Sequence, residues 1–352
     1  MAGAEQSLLL LLRHLRARVE ATIACPAASA LLGRCKDEGI ACQTFPGIEG
    51  KEALSRRQCL RVALRMRRIA RRIKPDIIHA NNFHAMAIAS LSRSVCGSKL
   101  VWHARDVPRP RLLTRWCISR ADVIIAVSNS IKSALAELGA RAEKIDVVYN
   151  GIDPPVRKPS SGARRNGHFT FACVGQLVRW KNQEAFLKAA EIVHMRLPGA
   201  RFLLVGSDVF DRPDSYEAKL KAMTESKRMS YVQCVGWQKD MEPIWRQTDC
   251  LVHTAHMEPF GRVLIEAMAH GRPVVAFASG GPSEIVTDGE TGLLIPFDDV
   301  KALSQAMLRI AGDRGLAEAL GHAGRQRAQQ DFRADTTAER VMAVYQRILE
   351  PR

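Results

Sequence analysis

Short apolar runs separated by stretches of helical periodicity recur along the whole chain, and this alternation constrains the fold more than any other feature. Val19–Cys25, Ile77–His79, Leu100–His103 and Val123–Val127 in the first half read as strands. Phe169–Val174, Phe202–Val205, Val232–Val235, Cys250–His253 and Val274–Ala276 do the same in the second half. Parallel strands covered by helices on both faces show continuous apolar runs rather than alternation, and strands interleaved with helices indicate stacked βαβ units. A chain of 352 residues exceeds what one core usually serves, so two doubly wound α/β domains are expected. The break falls at Asp153–Gly167, where Pro154, Pro155, Pro159, Ser160, Ser161 and Gly162 suit an exposed connection. Expected boundaries are 1–152 for the first domain, 153–167 for the linker and 168–333 for the second.

The charge is uneven. Of the net +16, residues 1–150 supply +13, with 25 Lys+Arg against 12 Asp+Glu. That bias points to an anionic partner for the first half. A helix is expected from about Arg56 to Ile73, with Val62, Met66, Ile69 and Ile73 on one face and Arg57, Arg61, Arg65, Arg68 and Arg72 forming an adjacent stripe. Such a stripe is either a solvated helix face or a contact with an anionic membrane surface. Nucleic acid is disfavoured because no recognition motif or interleaved aromatic residues accompany the charge. No apolar run approaches the ~18–20 residues of a membrane span, and Leu8–Leu12 lacks the flanks of a signal peptide. The nine cysteines are scattered without a Cys-x-x-Cys pair, so reduced thiols are expected rather than a zinc site or a disulfide framework.

The stretch Glu258-Pro259-Phe260-Gly261-Arg262 leads into an apolar-periodic run that carries Glu266. A helix beginning near Pro259 would present free N–H groups around Phe260 to Arg262, a good seat for phosphate or a sugar hydroxyl. On this reading Glu258 stands just before the helix and Glu266 about two turns into it, so the two carboxylates face one ligand from different depths. A glycosidase pair would instead flank a single bond.

With its flanks, this stretch resembles the E-x7-E signature of the retaining glycosyltransferases of family 4. The likeness continues through Gly271-Arg-Pro-Val-Val-Ala, Gly280-Gly281-Pro-Ser-Glu284 and Asp288-Gly-Glu-Thr-Gly292. Ala121–Ser128, Val147-Val-Tyr-Asn150-Gly151-Ile-Asp153 and Leu203-Leu-Val-Gly206 also match. The resemblance implies a GT-B fold: α/β, with two facing Rossmann-like doubly wound domains. The C-terminal segment 334–352 would form a helix, Asp335–Leu349, packing back on the first domain.

The resemblance also implies roles. Glu258 would contact donor-sugar hydroxyls near the reacting carbon, and Glu266 would hold the ribose. Backbone at Phe260, Gly261 and Arg262 would support sugar and diphosphate, with Gly236 and Trp237 near the base; a tight turn with a packed tryptophan is the alternative for that pair. The diphosphate needs cations because the leaving group gains charge. Gln176 follows Val174-Gly175 where the family usually has arginine, so Arg179 and Lys181 are the expected cations. His103 matches the family's active-site histidine at a strand's carboxyl end, where ligands gather in open α/β sheets. His79 and Asn81 end the preceding strand and would line the same cleft.

No Asp-x-Asp motif occurs, and the resemblance implies an enzyme that uses neither metal nor cofactor. It would move a hexose-like unit from a nucleoside diphosphate sugar to a saccharide acceptor with retention of configuration. A lipid-linked or envelope polysaccharide acceptor such as lipopolysaccharide, and a cytoplasmic location peripheral to the membrane, would suit the basic face. Met1–Leu8, with Gly3, resembles the family's glycine-rich first loop, while the strand that precedes that loop is absent. The expectation is therefore that the native chain starts upstream and that Met1 is internal. Alternatives are a non-catalytic sugar-nucleotide or membrane-binding subunit, or another enzyme of this fold such as a nucleotide-sugar epimerase or a phosphorylase.

Overall fold

A computed structural model describes residues 3–45, 56–92, 97–155, 167–208 and 215–350. The chain forms two compact units, residues 1–151 with 334–352 and residues 152–333. The bulk of the expected linker, residues 156–166, lies outside the described residues.

The first unit runs α1 (Gly3–Leu15), β1 (Thr22–Pro26), α2 (Ala30–Asp37), β2 (Ala41–Phe45), α3 (Arg56–Ile73), β3 (Ile77–Ala80), α4 (Phe83–Ser92), β4 (Lys99–Ala104), α5 (Leu112–Arg120), β5 (Val123–Ala126), α6 (Asn129–Glu137) and β6 (Ile145–Val147). Its strands form two parallel sheets, β1-β2 and β3-β4-β5-β6. β4 and β5 are almost wholly buried apolar runs, as the sequence suggests. β1 departs from that pattern: its inward residues alternate with more open ones, and among the described residues only β2 pairs with it. It also starts at Thr22 rather than Val19, whose N–H instead closes a turn onto Leu15 at the end of α1. Gly3 opens α1 instead of lying in a loop, and among the described residues nothing lies within 4 Å of the place of a side chain there.

Helix α3 spans the expected residues. Val62, Ala63, Ile69 and Ala70 are buried, and Met66 partly so. Ile73, expected on the packed face, is 38% exposed because it sits in the last turn beside Lys74. Arg61, Arg65, Arg68 and Arg72 are exposed, with Arg65 Nε reaching the Thr44 carbonyl at 3.4 Å. The side chain of Arg57 lies outside the described residues.

The second unit runs β7 (Thr170–Val174), α7 (Gln183–Arg196), β8 (Arg201–Val205), α8 (Tyr216–Ser226), β9 (Val232–Gly236), α9 (Glu242–Gln247), β10 (Cys250–His253), α10 (Arg262–Ala269), β11 (Val274–Phe277), α11 (Pro282–Ile285), β12 (Leu293–Ile295), α12 (Val300–Gly312) and α13 (Arg314–Asp331). One parallel sheet has the order β12-β11-β10-β7-β8-β9. Its core includes Phe171, Phe186, Phe202, Val252, Val275 and Met307. Strand order reverses between β7 and β10, which makes their carboxyl ends the switch point where open α/β sheets bind ligands.

The last helix, α14 (Ala334–Leu349), belongs to the first unit. Its Ala338, Val341, Val344 and Tyr345 pack with Leu11 and Leu15 of α1 and with Val101, Val123 and Ile125 of the sheet.

Candidate active site

The switch point of the second unit is where its charged residues converge. The chain leaves β7 at Gly175 and turns through Arg179–Lys181. That turn is tied to the segment after β10: Thr254 Oγ1 donates to the Lys181 carbonyl at 2.9 Å, and the His256 N–H donates to the Trp180 carbonyl at 2.7 Å. Lys181 Nζ therefore reaches the Glu258 carboxylate across the switch point. Its ammonium also lies 4.3 Å from the Trp180 ring. His253 Nε2, at the end of β10, stands 3.3 Å from the same carboxylate oxygen.

Glu258 is 7% exposed. Burial by itself raises its carboxyl pKa, but the Lys181 charge and the adjacent His253 outweigh that effect and hold it down to about 2. Burial depresses His253. Arg179, the other expected cation, projects into solvent and is not drawn into this cluster.

Glu258 is held by backbone as well as by charge. Its N–H donates to the Ser279 carbonyl at 3.1 Å, and its carbonyl accepts from the Gly281 N–H at 2.7 Å. A Cβ on Gly280 would lie 2.4 Å from the Glu258 carbonyl oxygen, and one on Gly281 would lie 2.2 Å from that of Phe260. The glycine pair noted in the sequence is thus a clamp on the Glu258–Phe260 segment, a role that sequence reasoning missed.

The helix after Glu258 starts later than expected, at Arg262 rather than near Pro259. Gly261 is its N-cap with φ 101°, a left-handed conformation that suits glycine and breaks the helix before it can extend back to proline. Glu266 consequently sits only slightly more than one turn into α10 rather than two. Its Oε1 accepts from Arg262 Nε at 2.7 Å. The Phe260 side chain is core, edge-on to Phe332, so only its backbone is offered to a ligand.

Gly175, Gly206 and Gly236 end the adjacent strands β7, β8 and β9. The Gly175 N–H donates to the Val205 carbonyl at 3.0 Å and the Gly206 N–H to that of Gly236 at 2.9 Å. A Cβ on Gly206 would fall 1.9 Å from the Gly175 carbonyl oxygen. Three neighbouring strand ends therefore expose bare backbone, as a floor for a ligand requires. Trp237, next to Gly236, is 54% exposed, which overturns the packed-tryptophan alternative.

In the first unit a second polar cluster lies at the carboxyl ends of β3 and β4. His103 Nδ1 and His79 Nε2 are 3.3 Å apart, and Tyr345 Oη of α14 is 2.7 Å from His79 Nδ1. Arg105 is buried: Nε donates to Asn81 Oδ1 at 2.8 Å, Nη1 to Asn150 Oδ1, and Nη2 lies 3.3 Å from His103 Nδ1. Asn81 Nδ2 donates to the Ala4 carbonyl at 3.1 Å, which brings the start of α1 to this cluster. Burial first and the Arg105 charge second push His79 down to about 3 and His103 well below the usual histidine range. Arg105, Asn150 and Tyr345 were not singled out from sequence as site residues. Arg105 was legible in principle, two positions after His103 at the same strand end.

Two parallel-sheet units, the second with charged groups and bare backbone gathered at its switch point, define a glycosyltransferase of the GT-B class. Anabaena HepE in complex with UDP-glucose has the same fold, with a TM-score of 0.86 over 99% of this chain and 96% of that one at 24% identity. Glycosyltransferase Family 4 matches residues 1–155, and Glycosyl transferases group 1 matches residues 157–327. The chain belongs to family 4 of the GT-B glycosyltransferases. It is 30% identical over 263 residues to D-inositol 3-phosphate glycosyltransferase of Kribbella flavida, covering 70% of this chain and 62% of that protein. It is 28% identical over 264 residues to the lipopolysaccharide core biosynthesis glycosyltransferase LpsE of Rhizobium meliloti, covering 75% of this chain and 73% of that one. Among the described residues no helix is long and apolar enough to cross a membrane.

Proposed function

We propose that the chain moves a hexose-like unit from a nucleoside diphosphate sugar to a saccharide acceptor with retention of anomeric configuration. The observation that carries this reading is the Lys181–Glu258–His253 cluster at the switch point, directly before the glycine-capped N-terminus of α10. Lys181 supplies a fixed cation for the diphosphate leaving group, and the N–H groups at the start of α10 add donors and the positive end of the helix dipole. Glu258, held ionised, accepts hydrogen bonds from sugar hydroxyls next to the reacting carbon. Glu266 turns from Arg262 to the ribose, while the glycine strand ends and exposed Trp237 receive the nucleotide. The acceptor oxygen attacks the anomeric carbon from the face the diphosphate leaves, and a diphosphate oxygen takes its proton. This scheme calls for neither a metal ion nor a cofactor, so turnover in the presence of EDTA is expected.

The UDP-glucose complex of HepE supports a nucleotide-sugar donor here. The LpsE likeness supports an envelope saccharide acceptor. The exposed arginines of α3 favour an acceptor presented at an anionic membrane surface, on its cytoplasmic side. Thermal-shift screening of nucleoside diphosphate sugars tests the donor reading, because a donor that binds only the native state raises its melting temperature. Transfer assays with Glu258→Ala and Lys181→Ala test the chemistry. Loss of most turnover supports the assignment, and a wild-type chain without turnover on any donor it binds would point to a non-catalytic subunit.

A further inference from the structure

The first-unit cluster contains one group whose hydrogen-bonding sense is beyond doubt. A guanidinium only donates, so where Arg105 Nη2 faces His103 Nδ1 at 3.3 Å, that nitrogen must be an acceptor. With Nδ1 accepting and the ring neutral, the His103 proton sits on Nε2. His79 Nε2 faces the same His103 Nδ1 at 3.3 Å and can meet it only as a donor, so His79 also carries its proton on Nε2. Its Nδ1 is then an acceptor, and Tyr345 Oη, 2.7 Å away, donates to it. Each step leaves one choice. The order runs from the Tyr345 hydroxyl to His79, and from His79 and Arg105 together to His103.

His103 is buried, and its Nε2 finds no hydrogen-bond partner among the described residues. A buried N–H without a partner is costly unless a ligand oxygen meets it.

We infer that Tyr345, His79 and Arg105 are positioning residues that lock His103 as a neutral Nε2–H tautomer, making it a hydrogen-bond donor to a substrate oxygen and not a base. His103 Nδ1 is already occupied by two donors and Nε2 already bears a proton, so the ring has no site to take a proton from an acceptor hydroxyl. The arrangement couples the C-terminal helix to the site: α14 is fixed by packing on α1 and the sheet, and its Tyr345 fixes the His79 ring. The tautomer assignment stands on the cluster alone. Only the identity of the oxygen that meets Nε2–H rests on the glycosyl-transfer reading.

The test is side-chain nitrogen–proton correlation NMR of the full-length protein with labelled histidine, at neutral pH. Expected are two neutral rings, His79 and His103, each with a proton-bearing Nε2 and a bare Nδ1. A proton on Nδ1 of either ring, or a doubly protonated ring, overturns the inference. Tyr345→Phe keeps the ring's packing and removes only the hydroxyl. It should shift His79 towards a mixture of tautomers while His103 keeps its own under Arg105, and lower turnover about 3- to 10-fold, the scale of one neutral hydrogen bond. An unchanged His79 spectrum in that variant overturns the role of Tyr345. In Arg105→Gln, whose amide can also accept, His103 should lose its single tautomer; if that variant does not fold, the wild-type spectrum still decides. The predicted spectra in a chain that transfers no sugar would defeat the functional reading and leave this one standing.

Discussion

Replacing Lys181 by methionine keeps most of the side-chain volume and removes the charge that holds Glu258 ionised. The consequence can be sized in two ways. The Glu258 carboxyl lies at about 2 against an ordinary 4.5. Without the ammonium, burial is opposed by His253 alone, and the carboxyl rises towards its ordinary value. At about 1.36 kcal/mol per pKa unit, the variant loses up to about 3 kcal/mol at neutral pH. Independently, removing one member of a buried ion pair costs about 3–5 kcal/mol. The two side chains are only 16% and 9% exposed, so solvent screening reduces the figure little. The loss also has a required pH dependence. A depressed carboxylate stabilises the wild type above about pH 4.5 and ceases to do so as pH falls towards about 2. The variant has no such contribution, and its own carboxyl protonates early. The gap between the two proteins must therefore narrow as pH falls. Urea denaturation followed by circular dichroism at about pH 7, 4.5 and 3 measures it. A gap below about 1 kcal/mol at neutral pH, or one that widens on acidification, would refute the reasoning.

Other consequences are equally direct. Gly280→Ala and Gly281→Ala each drive a methyl group into backbone at 2.4 and 2.2 Å, and each should lower stability by about 2–3 kcal/mol and weaken donor binding; a denaturation midpoint equal to wild type contradicts the clamp. His79 and His103 stay neutral when folded but gain protons when unfolded, so stability should fall as pH drops below about 6.5, by up to about 1.36 kcal/mol per pH unit for each ring. His79→Gln should remove about one proton from that slope, and an unaltered slope would show that His79 titrates normally in the folded protein. Changing Arg61, Arg65, Arg68 and Arg72 together to glutamine should weaken co-sedimentation with anionic vesicles at least about tenfold at low salt, given about 1 kcal/mol per cation near the surface; undiminished binding removes the membrane from the account.

The fold was legible because buried parallel strands advertise themselves. Val123–Val127 and Cys250–His253 are runs that helices on both faces make continuous, and the structure places strands there. Strands less enclosed or shorter were not: β2, β6 and β12 carry Gln43, Asp146 or only three residues, and give no periodicity to read. The start of α10 was misplaced because Pro259 is a good first helical residue, whereas Gly261 in a left-handed conformation decides the matter, and φ cannot be read from composition. In the site, Glu258 and Lys181 were visible through their motifs. Their hydrogen-bonded contact depends on two strand ends 77 residues apart meeting at the switch point. Tyr345 was invisible for the same reason, since 266 residues separate it from His79.

The central claim is that this chain transfers a sugar with retention, using Glu258 and Lys181. The most direct measurement is NMR of the product formed from an α-linked nucleoside diphosphate hexose and an envelope-type saccharide acceptor, with wild type, Glu258→Ala and Lys181→Ala compared. The account predicts an α-linked product from the wild type and loss of most of it in both variants. A β-linked product, or turnover that survives both substitutions, would contradict it.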